Sequence, residues 1–116
     1  MRHIIDWEPA AGSDRFTQSS HYSVDNFYAV RGLDMLAQML EAGGRSDNAS
    51  AIAAESAALM ARMRALMWNG TAWCDGICSE VGGKSFVSSN TFALALGLVP
   101  AADVASAWQT VADWGI

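Results

Sequence analysis

The residue pair best suited to chemistry lies near the start of the chain. Asp6 and Trp7 are adjacent in an Ile4-Ile5-Asp6-Trp7-Glu8-Pro9 stretch. A carboxylate accepts paired hydrogen bonds from neighbouring hydroxyls, and an indole covers the apolar C–H face of a ring, so together they suit a sugar. The same two residues could equally serve as a core tryptophan and a turn-capping aspartate. Asn90, in the first turn of an expected helix, can point its amide into a cleft or satisfy loop backbone. Asp75-Gly76 reads as a turn device. Cys74 and Cys78 are four apart, not the two-residue gap of a zinc or redox motif, and His3 and His21 are distant. They read as two half-buried thiols. The chain has no phosphate loop, no His-Glu-x-x-His and no Gly-x-Ser-x-Gly elbow.

The elements that must position these groups are helical. Residues 1–20, with Ala11-Gly12-Ser13-Asp14, read as an irregular loop. Ser23 is a plausible N-cap for a helix running to about Ala42. Its polar residues Arg31, Asp34, Gln38 and Glu41 form one thin stripe, which predicts a mostly buried helix. Gly43-Gly44 should end it and Ser46 should cap a second helix, about Asp47 to Met67. That helix carries Ile52, Leu59, Met63 and Leu66 on one face, many alanines, and Glu55, Arg62 and Arg64 toward water.

Asn69-Gly70 predicts a tight turn into a short β excursion near residues 71–84. A third helix is expected from about Val87 to Leu98, and a fourth from about Ala101 to Trp114. Val104, Trp108 and Val111 share one face of the fourth, which makes Trp108 core, while Trp73 is left undecided. Met35, Met39, Met60, Met63 and Met67 recur at helical spacing on two facing helices and suit core packing. The fold class is all-α: two helical hairpins with a β excursion between them.

Composition narrows the partners. The net charge is −5 and the basic residues are scattered, which argues against binding nucleic acid. No apolar run approaches the roughly 18 residues of a membrane span. The first residues lack the apolar region of a signal peptide; a cytoplasmic and a secreted parent both fit. Charged residues are only 16% of the 116 against 52% hydrophobic. Soluble domains usually carry roughly 25% charged residues. A helical pair this poor in charge should expose apolar surface if it stands alone.

Three passages, in order, resemble the bacterial α-L-rhamnosidases. Ile4-Ile5-Asp6-Trp7 resembles that family's Asp-Trp loop, and Val24-Asp25-Asn26-Phe27-Tyr28-Ala29-Val30 its next aromatic helix. Asp75-Gly76 followed by Asn90, Phe92, Leu94 and Gly97-Leu98-Val99-Pro100 resembles a hairpin leading into a barrel helix. Lys84 and Ser88 stand where the family usually has histidines. The resemblance implies an (α/α)6 barrel of six helical hairpins, of which residues 1–116 would supply two as a partial domain.

It also implies an inverting glycosidase, whose two carboxyl groups sit roughly 6.5–9.5 Å apart to admit a water. The family's acid and base glutamates fall outside these residues, so no catalytic residue is expected here and the chain alone should be inactive. Asp6, Trp7 and Asn90 would then be substrate-binding, with a rhamnoside as the carbohydrate substrate and no metal or cofactor. The remaining barrel, or a second copy in a homodimer, would cover the apolar face. The alternatives are a non-enzymatic helical interaction module and a hydrolase of another sugar in the six-hairpin superfamily.

Overall fold

The computed structural model describes residues 21–85 and 87–113. The described residues form four α-helices: α1 Ser23–Ala42, α2 Ser46–Met67, α3 Val87–Ala95 and α4 Val104–Ala112, the last entered through a 3-10 turn at Ala101–Asp103. They make two hairpins, α1 with α2 and α3 with α4, and α1 also packs on α3. The all-α reading of the sequence holds. The β excursion is reduced to two isolated antiparallel bridges, Trp68 with Trp73 and Tyr22 with Gly76.

Glycine ends two of the four helices, α1 and α3. At the end of α1, Gly44 turns to φ +71°, and the N–H groups of Gly44 and Arg45 reach back to the carbonyls of Glu41 and Leu40. At the end of α3, Gly97 at φ +67° repeats the pattern, with Gly97 and Leu98 donating to Leu94 and Ala93. This double closure satisfies carbonyls that a helix end otherwise leaves unpaired, and its left-handed residue favours glycine. It ends α3 three residues before the expected Leu98.

The core is built on Phe27 and Val30 of α1, Met63 and Met67 of α2, Trp73 of the connection and Ala93 of α3. Phe27 meets Trp73 edge-on at 5.1 Å between centroids, and Trp68 meets it edge-on at 5.4 Å. Such pairs add about 0.5–1.5 kcal/mol to area burial. Trp73 is thus a core residue. On α2, Ala49, Ser56 and Met63 recur every seven residues on the buried side. The small side chains let α1 approach, and the Ser56 hydroxyl donates to Asp34 Oδ1 at 2.6 Å and to Val30 O at 3.3 Å.

Several sequence expectations change. Ser23 does not cap α1: Tyr22 takes the cap position, and the Ser23 hydroxyl donates to the carbonyl of Cys74 instead. Ser46 likewise begins α2 after Arg45 and donates to Glu41 Oε1. Arg64 is not simply solvated: it pairs with Asp103 and lies 5.1 Å over the Trp68 ring, tying α2 to the turn before α4. Trp108 is not core. Ala107 and Val111 are the buried residues of α4, and Trp108 falls a step round the helix, where it is 56% exposed.

Nor is α1 mostly buried. Its second apolar face carries Tyr28, Met35, Leu36 and Met39 to the surface, with Met39 70% exposed. Two hairpins offer neighbours for only one side of this helix. Among the described residues, no helix is long and apolar enough to cross a membrane.

Candidate functional site

The geometry converges on Trp73, Cys74 and Asp75, the extended segment between the two hairpins. It leaves α2 through a tight hairpin in which Asn69 Oδ1 accepts from the N–H groups of Thr71 and Ala72 while Gly70 takes φ +103°. A side-chain acceptor that closes its own turn is what Asn-Gly offers. The chain then runs back past the end of α2, where Cys74 N–H donates to Met67 O at 2.8 Å.

From there both main-chain groups of each of the three residues find a partner. Trp73 N–H donates to Asn90 Oδ1 at 2.9 Å, and Asn90 Nδ2 donates to Trp73 O at 3.1 Å. The Cys74 carbonyl accepts the Ser23 hydroxyl at 2.5 Å. Asp75 N–H donates to Lys84 O at 3.1 Å, and Asp75 O accepts Ser23 N–H at 2.8 Å. A buried extended segment with no sheet beside it must satisfy its backbone by other means. Side chains and end groups of α1, α2 and α3 do so here.

The carboxylate of Asp75 is fixed as well. Ser89 donates its hydroxyl to Asp75 Oδ1 at 2.6 Å. Ser23 and Ser89 both stand in the first turns of their helices and both are buried. The N-terminal ends of α1 and α3 therefore meet on one short segment, with Asp75 between them. A negative charge is favoured there because the unpaired N–H groups of a helix start carry partial positive charge.

Cys74 and Cys78 are not thiols. They form a disulfide with Cα atoms 5.5 Å apart, within the usual range. Its ring encloses Asp75, Gly76 and Ile77. Cys74 is fully buried and Cys78 is half-buried.

The residues expected to bind substrate separate. Asp6 and Trp7 lie outside the described residues. Asn90 is in the first turn of α3, fully buried, with its amide on the Trp73 main chain. Lys84 is exposed and lends Asp75 its carbonyl, and Ser88 is half-buried beside Ser89. No group of three or more potential metal ligands occurs among the described residues. Sequence reasoning missed Ser23, Ser89 and the disulfide. The Asp-Gly pair was the available signal for Asp75.

Across residues 1–114 the chain matches the model of the bacterial alpha-L-rhamnosidase 6 hairpin glycosidase domain. It belongs to that family. No curated protein and no solved structure matches it. Membership in the bacterial alpha-L-rhamnosidase six-hairpin domain accounts for the helical pairing seen here, two hairpins of a fold described by six. It also makes the Trp73–Asp75 segment a joint between successive hairpins of a glycosidase domain.

Proposed function

We propose that this chain forms part of the wall of the sugar cleft in an inverting glycosidase that removes terminal α-L-rhamnosyl residues. The match to the rhamnosidase six-hairpin domain along nearly the whole chain carries this reading. Inversion requires a general acid and a general base separated widely enough for a water. Both are assigned to parts of the enzyme beyond residues 1–116, so the chain by itself contributes binding surface and not the proton transfers.

Asp6 and Trp7 are the proposed sugar contacts: the carboxylate for ring hydroxyls, the indole for the C–H face and the methyl of a 6-deoxy sugar. Asn90 acts on the cleft through the segment it holds, because its amide oxygen and nitrogen both engage Trp73. The exposed apolar face of α1 supports a further element of the proposal. Tyr28, Met35 and Met39 are left uncovered by the chain's own hairpins, and the remaining hairpins of the barrel would cover them.

The test is an assay of the gene product that contains this chain, with aryl α-L-rhamnoside, β-D-glucoside and α-D-mannoside as a panel. Proton NMR of the first sugar released gives its anomeric form. Hydrolysis of the rhamnoside with release of the inverted β anomer supports the proposal. Preference for another sugar, or release of the α anomer, contradicts it.

A further inference from the structure

The disulfide sits where a local change in order would act on a single carboxylate. Cys74 is pinned on both main-chain sides, by Met67 and by Ser23. Cys78 is tied less deeply, its N–H to Leu66 O at 2.9 Å and its carbonyl to Gly83 N–H at 2.7 Å. Between Cys78 and Lys84 the chain is all turn, held by Glu80 and Val81 donating to Ile77 O and by Lys84 N–H donating to Val81 O. Gly82 and Gly83 both take positive φ there, +63° and +71°. Such a turn lacks the repeating hydrogen-bond ladder of a helix and opens more readily, with Val81 buried and Ile77 packed on the core as its apolar anchors. The same turn delivers Lys84 O to the N–H of Asp75.

We propose that the Cys74–Cys78 bond is a redox-sensitive clasp that holds the 77–84 turn and, through it, the Asp75 carboxylate against Ser89. The inference rests on this loop geometry and does not depend on the glycosidase reading. Reduction would need a dithiol. Its thiolate attacks the sulfur of Cys78, the half-buried partner, and forms a mixed disulfide while Cys74 leaves and takes up a proton. The second thiol of the reagent then displaces Cys78, so the dithiol ends as a cyclic disulfide and the protein gains two thiols. The Cys74 thiol is then buried beside the core, where a small apolar group is well tolerated. Core, α1 and α2 keep their packing; the turn loses the side-chain cross-link that ties it to the segment.

Amide hydrogen exchange on the complete protein that contains these residues tests this, before and after treatment with dithiothreitol, with Cys74→Ala/Cys78→Ala as a second route to the open state. The expected result is exchange at Asp75, Cys78 and Gly83 faster by about tenfold or more, with α2 amides from Ala53 to Met60 unchanged. Free thiols in the untreated chain would overturn the proposal. So would a bond that dithiothreitol breaks only in denaturant. Unchanged exchange in the turn, or an equal rise throughout α1 and α2, would overturn it too.

Discussion

The side chain of Asn90 pairs with the main chain of Trp73 through two hydrogen bonds, 2.9 Å from Trp73 N–H to Oδ1 and 3.1 Å from Nδ2 to Trp73 O. Both residues are fully buried. The amide thus stands in for the strand that an extended segment would otherwise pair with. It joins the first turn of α3 to the middle of the core.

Asn90→Ala should therefore leave two buried main-chain groups without partners. Each such group costs about 1–3 kcal/mol, so a loss of about 3 kcal/mol is expected. Urea denaturation followed by tryptophan fluorescence reads it. A loss under about 0.5 kcal/mol, the scale of an ordinary surface change, would mean that the bridge contributes little.

Two glycines should respond in opposite directions to the same substitution. Gly97 sits at φ +67° with nothing within 4 Å of an added Cβ, so Gly97→Ala meets only backbone strain. A cost of about 1–2 kcal/mol is expected. Gly32 lies inside α1, also in open space. Gly32→Ala should stabilise the chain by about 0.8 kcal/mol through helix propensity. Thermal melts of the two variants give the signs directly.

Ser56 is a buried hydroxyl on the slim face of α2 that reaches both Val30 O and Asp34. Ser56→Ala should cost about 1 kcal/mol, the net value of such a bond. Ser56→Leu should cost more, because the extra volume forces the two helices apart. Denaturant midpoints of the two variants give this order, and a larger cost for alanine would contradict it.

The bare face of α1 predicts association. Met35 and Met39 are 57% and 70% exposed and share a face with Tyr28, so the chain in isolation should self-associate or bind a hydrophobic dye. Met35→Lys with Met39→Lys should reduce both, as read by sedimentation velocity and dye fluorescence. A monomeric parent chain that ignores the dye would contradict this.

The sequence made the helical frame legible because its signals are local. Gly43-Gly44 and Gly97 with Pro100 mark ends that the backbone geometry then uses. Asn90 could be placed on the first turn of α3 for the same reason. What it bonds could not be read, since Trp73 is 17 residues away and no local pattern encodes that pairing. Ser23 reads as an ordinary cap, yet its hydroxyl is drawn to Cys74, 51 residues on. The Cys74–Cys78 spacing matches no metal or redox motif; only the fold of the loop brings the sulfurs together. Trp108 shares an apolar stripe with Val104 and Val111, but a stripe does not say how much of it a neighbour will cover.

Whether this chain lines a sugar cleft is read from kcat/KM for an aryl α-L-rhamnoside. It would be measured on the complete enzyme carrying Asp6→Asn or Trp7→Ala. A fall of about tenfold or more is expected for each variant, equivalent to about 1.4 kcal/mol of lost transition-state binding, with an unchanged melting temperature. Variants that fold as the parent does and turn over the rhamnoside equally well would contradict it.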